Sequence, residues 1–192
     1  MKPIVTKRYL ELFTQTALQR VLEVLFRYPE KEFSLSDLAK QARVAKPHIG
    51  ALLAELEKLS LITITKLTTI WRIKANIQSK KLINSKMIYN FHFICQSGLV
   101  EFLNDHFGNP KAIILFGSFR KGEDFSTSDI DIAIETNETE YKTLGLPGIA
   151  AFEKEIGRKI QLHLFNRKTV DSHVFNNIVN GIVVAGFLET KP

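Results

Sequence analysis

The sequence predicts an α+β protein of two domains, in which a helical domain ending in a β-hairpin precedes a small mixed-sheet α/β domain. Three observations lead to this prediction. Apolar residues recur at helical spacing in residues 14–28 and 46–59. β-Branched and polar residues then alternate across residues 61–73. From residue 111 onward, short strand patterns are interleaved with helical ones.

The polar segment 76–81 is the expected boundary, so that the two domains span residues 1–78 and 79–192. Charge supports this division. Residues 1–80 carry 14 Lys/Arg and 7 Asp/Glu, a balance of +7, whereas residues 81–192 carry 12 and 13, a balance of −1. A basic domain favours a polyanionic partner, because neutralised phosphates release counterions. A solvated surface with an excess of lysine is the alternative.

The composition is that of a globular protein and excludes several other classes. Hydrophobic residues make up 45% of the 192 residues and charged residues 24%. The single Cys95 cannot form an internal disulfide. Met1 and Lys2 are followed by no apolar signal segment, and no apolar run approaches the roughly 18 residues that span a membrane. The expected location is the cytoplasm, without a membrane partner.

The first domain is expected to begin with a helix over residues 14–28, which Pro29 ends. A short strand is expected at residues 32–34. Ser36 offers the N-cap of a second helix that runs to about Ala42.

A third helix has Pro47 in its first turn, where the missing N–H costs nothing. Residues 61–65 and 69–73 then form the expected hairpin around Lys66–Leu67–Thr68. The inward positions of the third helix are expected to be Ile49, Leu52, Leu53, Leu56 and Leu59.

This order of elements resembles the winged helix-turn-helix family over residues 7–75, and the stretch RVAKPHIGALLAELEKLSLITIT resembles a recognition helix running into the wing. The resemblance implies that the start of the third helix enters the major groove of duplex DNA. A homodimer is compatible with this role, because duplex readers usually pair to match a two-fold site. Ordinary solvated side chains are the alternative for each candidate. The expected DNA-binding residues are Lys46, His48, Lys66, Arg72 and Lys74.

The second domain is expected to open with a helical stretch over residues 82–106, broken at Ser97–Gly98. The wholly apolar run AIILF, residues 112–116, is typical of a buried strand. A loop rich in Gly, Ser, Lys and Asp follows over residues 117–128.

Two alternating patterns, DIDIAIE at 129–135 and KIQLHLF at 159–165, predict half-buried strands. A helix is expected between them at residues 146–157. A long closing helix is expected at residues 169–187.

Residues 117–131 read GSFRKGEDFSTSDID. This combination of a Gly-Ser turn after a strand, a second glycine and an Asp-x-Asp pair resembles the signature of the nucleotidyltransferase superfamily, whose fold is shared with DNA polymerase beta. The resemblance covers about residues 82–190. It implies transfer of a nucleoside monophosphate from a nucleoside triphosphate, dependent on Mg²⁺ or Mn²⁺, to a hydroxyl on a protein, an RNA or a small molecule. Asp124 and Ser126 are expected instead to cap surface turns.

The chemistry of this transfer explains the residue types. Divalent cations can hold the attacking and leaving oxygens, and Asp129 and Asp131, two residues apart on a strand, can bind them from one face. A glycine lets the backbone approach the triphosphate, a hydroxyl donates to it, and cationic side chains neutralise it. The residues expected to bind the nucleotide are Gly117, Ser118, Arg120, Lys121 and Ser128.

Active relatives typically carry a third carboxylate on the next strand, and Gln161 stands at that position here. A neutral amide cannot take a proton and binds Mg²⁺ poorly. His163 shares a face with Gln161 and is a candidate catalytic base. A hydrogen-bonded, half-buried histidine is the alternative. Glu135 has the parity of Asp131, but it is expected to be solvated at the strand end.

Three functions fit these residues. The first is a metal-dependent nucleotidyltransferase that a DNA-binding domain places or regulates. The second is a transcriptional regulator whose nucleotidyltransferase fold senses nucleotides with weakened catalysis, which Gln161 favours. The third is the antitoxin of a toxin–antitoxin pair, with an added DNA-binding domain.

Overall fold

The structure is a computed structural model that describes residues 16–68 and 70–190. The predicted first helix starts at residue 14 and the predicted second hairpin strand at residue 69, and both of these positions lie outside the described residues. Across the described ranges, no helix is both long and apolar enough to cross a membrane.

Within the described residues, the first domain has three helices followed by a two-stranded sheet. Phe33 forms an isolated antiparallel bridge with Ile73, which adds the expected short third strand. This arrangement is a winged helix-turn-helix, as the sequence predicts. The elements are α1 (Ala17–Arg27), α2 (Leu35–Gln41), α3 (Lys46–Lys58), β1 (Ile62–Lys66) and β2 (Trp71–Ala75).

Two local predictions in this domain are wrong. The N-cap of α2 is Ser34 rather than Ser36, because Ser34 is still extended and its hydroxyl accepts a hydrogen bond from the Asp37 N–H at 3.1 Å. Leu59 is exposed rather than inward, and it is the C-cap that follows the last residue of α3.

The long helix α4 (Lys80–Gln96) begins inside the predicted boundary segment and packs against both domains. Leu82 belongs to the core of the first domain, whereas Phe93 and Ile94 belong to the core of the second. The chain then breaks at Ser97–Gly98, as predicted, before α5 (Leu99–His106).

The second domain is built on one five-stranded mixed sheet with strand order β5-β6-β4-β3-β7. Strand β4 pairs antiparallel with β3 and parallel with β6. A short 3₁₀ helix precedes α7 at Pro147–Ile149. The elements are β3 (Ala112–Phe116), α6 (Gly117–Lys121), β4 (Ile130–Glu135), β5 (Lys142–Leu144), α7 (Ala150–Ile156), β6 (Ile160–Phe165), α8 (Ser172–Val179) and β7 (Ile182–Gly186).

The two faces of this sheet differ in chemistry. One face packs the isoleucines and leucines of β4 and β6 against α4, α5 and α7. The other face carries Asp131, Ala133 and Glu135 of β4, and α8 covers part of it through Ile178. Because successive strand residues point to opposite faces, the polar residues of β4 lie on the face that has less helical cover.

Three predictions in this domain need correction. Residues 117–121 form a short helix rather than a loop. The predicted closing helix is instead α8 followed by β7, because α8 ends before Gly181, where an added Cβ would lie 2.6 Å from the Leu115 carbonyl oxygen. Glu135 is buried rather than solvated, because Arg167 Nε donates to its carboxylate at 2.5 Å.

Asp124 is also buried rather than part of a surface turn, with 1% exposure. Its carboxylate lies 3.1 Å from Lys86 Nζ and 3.4 Å from Arg158 Nη2. It also accepts a hydrogen bond of 2.8 Å from Asn90. Arg158 in turn donates to the Arg27 carbonyl oxygen at 2.7 Å, which joins the network to the end of α1.

We expect Asp124→Asn to lower the free energy of unfolding by about 3–5 kcal/mol, because it leaves two buried cations without a counter-charge. Burial already lowers the pKa of the Lys86 ammonium, and the Asp124 charge opposes that effect. Urea unfolding followed by circular dichroism measures the change. The control is Glu138→Gln, which removes an exposed pair with Lys142 and should cost less than about 1 kcal/mol. Equal effects of the two variants would contradict the central role of Asp124.

Candidate active site

The Gly-Ser turn and the Asp-x-Asp pair meet where β3 ends and β4 begins. Phe116, the last residue of β3, pairs with Asp131 of β4 in the antiparallel register. Gly117 has φ +75°, and a Cβ added there would lie 2.2 Å from Asp131 Oδ2. The glycine therefore leaves the space that the Asp131 carboxylate occupies.

Asp131, the second residue of β4, is partly exposed in an otherwise buried strand. Its side chain keeps 25% exposure, whereas Ile130 and Ile132 on either side are buried. Asp129 is exposed and stands immediately before β4. Within the residues that the structure describes, no group of three or more His, Cys, Asp or Glu side chains is arranged to hold a metal ion.

Gln161 lies directly beside Asp131. The two residues are Cα partners in the parallel register of β4 and β6, so their side chains project from the same face. Gln161 is half-buried. That this is the place of a missing third carboxylate stays a prediction, and the register is consistent with it.

His163 also approaches Asp131. Its Nε2 lies 3.2 Å from Asp131 Oδ1, and its Nδ1 lies 2.5 Å from the Tyr141 hydroxyl. The imidazole packs edge-on against the Phe116 ring, with 4.9 Å between the ring centroids. Burial raises the pKa of the Tyr141 phenol, and the negative charge of Asp131 raises it further.

The sequence offered no signal for Tyr141. The residue precedes β5, a strand of three residues that is too short to show a pattern. Only the antiparallel pairing of β5 with β6 brings it to His163.

The other residues predicted to bind the nucleotide differ in exposure and in hydrogen-bond partners. Ser118 is half-buried in α6, and Lys121 is exposed at its end. Arg120 Nη2 donates to the Asn180 carbonyl oxygen at the end of α8, so this guanidinium already has a partner. The Ser128 hydroxyl accepts a hydrogen bond from the Phe125 N–H at 2.9 Å and closes the turn before Asp129.

The candidate DNA-binding residues form a separate group on the first domain. Lys46 and His48 are exposed in the first turn of α3. Arg72 and Lys74 are exposed on β2, and Lys66 Nζ lies 4.6 Å from the centroid of the neighbouring Trp71 ring.

The second domain matches a family model. Residues 98–186 match the family model described as "Polymerase beta, Nucleotidyltransferase", and this segment contains all five strands of the larger sheet. A curated protein of Methanocaldococcus jannaschii, named "Putative protein adenylyltransferase", is 43% identical over 54 residues. That match covers 27% of this chain and 54% of the relative, so the chain spans about half the length of the curated relative it matches.

The chain also resembles two solved structures. The transcriptional regulator PA4135 has a TM-score of 0.37 and 18% identity, covering 54% of this chain and 74% of that one. NadR in complex with 4-hydroxyphenylacetate has a TM-score of 0.36 and 21% identity, covering 52% and 71%. Residues 98–186 thus match a nucleotidyltransferase domain, and in the chain they follow a winged helix-turn-helix.

Proposed function

We propose that this chain binds duplex DNA through its first domain and transfers a nucleoside monophosphate through its second. The observation that supports the transferase site best is the Asp131 carboxylate seated against Gly117, because it brings the two halves of the motif together. In this reaction the acceptor oxygen bonds to the α-phosphorus, the bond to the bridging oxygen breaks, and pyrophosphate leaves. The hydroxyl proton passes to a base or to water.

The donor set fits a hard divalent cation. Asp129 and the partly exposed Asp131 supply carboxylate oxygens, and Mg²⁺ commonly completes its shell with water and substrate phosphates. We therefore assign Mg²⁺, or Mn²⁺, to these two aspartates. When bound, such a cation stabilises the charge that develops on the phosphates.

The chain's own residues would hold and orient the triphosphate. Gly117 lets the backbone come close, and Ser118 follows it in the first turn of α6. Lys121 is exposed at the other end of α6 and can neutralise phosphate charge. Arg120 would have to share its guanidinium with the Asn180 carbonyl oxygen.

We propose ATP as the donor and a protein hydroxyl as the acceptor. This choice rests on the name of the relative from Methanocaldococcus jannaschii and on the 43% identity over 54 residues. An RNA or small-molecule hydroxyl is the alternative acceptor.

Gln161 favours a second candidate function. An amide beside Asp131 adds no negative charge to the metal site and takes no proton, so nucleotide binding would persist while turnover slowed. The second domain would then sense a nucleotide and the first would act as a transcriptional regulator.

The distribution of charge supports the DNA-binding role. The first 80 residues carry a balance of +7, and exposed cations stand both at the start of α3 and on β2. A helix entering the major groove and a wing beside it would place these cations near phosphates.

We expect Gly117→Ala to weaken Mg²⁺–ATP binding by about tenfold or more, because the new Cβ would displace a metal ligand from a site where φ is +75°. Isothermal titration calorimetry measures the affinity. Gly145→Ala is the control, because no atom lies within 4 Å of a Cβ added there. Unchanged affinity in Gly117→Ala would show that the Asp131 position does not matter for binding.

We expect Gln161→Asp to tighten divalent-metal binding and to raise transfer of labelled AMP to lysate proteins, by up to roughly 10²–10⁴-fold if the carboxylate serves as a base. Gln161→Asn is the control, because it shortens the side chain without adding charge. If His163 is the base, His163→Ala should abolish transfer while Gln161→Asp matters little. Robust transfer unaffected by either substitution would mean that the base lies elsewhere.

We expect the full chain to bind duplex DNA more tightly at ~50 mM than at ~200 mM salt. The plot of log K against log salt has a negative slope, and Arg72→Ala and Lys46→Ala should each reduce its magnitude by about 0.9. Lys58→Ala, at the far end of α3, is the control for charge and should leave the slope unchanged. Fluorescence anisotropy with a labelled duplex gives both quantities, and a slope near zero in the natural protein would contradict DNA binding through phosphates.

A further inference from the structure

Both ring nitrogens of His163 already have partners. Nε2 faces Asp131 Oδ1 at 3.2 Å, and Nδ1 faces the Tyr141 hydroxyl at 2.5 Å. An ionised carboxylate can only accept hydrogen bonds, so Nε2 must carry a proton. In the neutral imidazole the remaining lone pair is then on Nδ1, and the Tyr141 O–H donates to it.

We infer that Tyr141 and His163 are positioning residues that hold the Asp131 carboxylate in place for the metal–nucleotide complex, and that His163 is not the general base. This inference rests on the proposed nucleotide-binding function. While the contact with Asp131 lasts, Nε2 is a donor in both the neutral and the charged imidazole. Neither form offers the acceptor hydroxyl a free lone pair.

The sheet register explains how three residues from three segments meet. His163 is the Cα partner of Ala133 on one side and of Thr143 on the other. Asp131 and Tyr141 each stand two residues before those partners. The methyl group of Ala133 is small, which leaves room for the imidazole to reach diagonally to Asp131.

The carboxylate is thereby fixed from two directions. His163 holds Oδ1, while Oδ2 lies against Gly117, in the space of the missing Cβ. The tautomer matters, because an imidazole protonated on Nδ1 would turn a lone pair towards the negative carboxylate. The Asp131 carboxylate, which can only accept, selects the Nε2–H tautomer. The Tyr141 hydroxyl then donates to the lone pair left on Nδ1 and holds the ring in place, as outer hydrogen bonds do for histidines in other sites.

The first test is spectroscopic and needs neither metal nor activity. The ¹⁵N chemical shifts of the imidazole report which nitrogen carries the proton, and His163→Gln identifies the His163 signals by their loss. We expect the Nε2–H tautomer in the natural protein and also in Tyr141→Phe, where the Nδ1 shift should move because its lone pair loses the hydrogen bond from the phenol. Tyr28→Phe removes an exposed tyrosine hydroxyl elsewhere and should leave the His163 signals unchanged. A predominant Nδ1–H tautomer in the natural protein would overturn the inference.

The second test is a double-mutant cycle read by Mg²⁺–ATP affinity. Tyr141→Phe should weaken binding by about tenfold. His163→Gln keeps an N–H donor for Asp131 but has no tautomers, so it should bind better than His163→Ala. Adding Tyr141→Phe to His163→Gln should then have little further effect. If Tyr141→Phe lowers the affinity equally in the natural protein and in His163→Gln, Tyr141 does not act through His163 and the inference is wrong.

Different results would contradict the proposed function and the positioning role of Tyr141 and His163. If the natural protein binds no Mg²⁺–ATP while His163 shows the Nε2–H tautomer, the proposed function is wrong. The hydrogen bonds from Tyr141 to His163 and from His163 to Asp131 then have a structural role only. If the protein binds and transfers AMP, and His163→Gln loses transfer without loss of affinity, His163 acts as a base and the inference is wrong.

Discussion

The rest of the structure depends on the buried carboxylate of Asp124. A charge with 1% exposure is costly unless it is paired and hydrogen-bonded, and here Lys86, Arg158 and Asn90 supply both. These partners come from α4 and from the turn that precedes β6, so one carboxylate joins the segment before Asp129 to two other parts of the fold. The segment that leads to Asp129 and Asp131 is therefore held by ionic contacts inside the protein.

Contacts of α4, of Arg158 and of the loop before Asp129 join the two domains. Helix α4 contributes Leu82 to the first core and Phe93 to the second. Arg158 reaches the Arg27 carbonyl oxygen at the end of α1, and the Ser126 N–H donates to Glu30 at 3.2 Å. The loop between the Gly-Ser turn and Asp129 thus touches the first domain directly. This contact between the domains lies three residues before Asp129 in the chain.

The candidate site itself follows from the unequal faces of the sheet. The face covered by α4, α5 and α7 is wholly apolar and forms the main core of the second domain. The opposite face has only a small apolar cluster, which packs under α8. The rest of that face has room for the polar side chains of Asp131, Gln161 and His163. Polar side chains on a buried strand are costly unless they are paired. His163 is paired with Tyr141, and one oxygen of Glu135 is paired with Arg167.

The sequence by itself determined the order of the two domains, the helices of the first, the hairpin, the strands β3, β4 and β6, and the motif that joins Gly117 to Asp131. Each of these follows from a local periodicity or from residues close together in the chain. Only the tertiary structure decided that Asp124 is buried, that residues 182–186 pair with β3, and that Tyr141 reaches His163. These contacts join residues far apart in the chain, and a local pattern specifies which face a side chain takes but not which distant residue lies beside it.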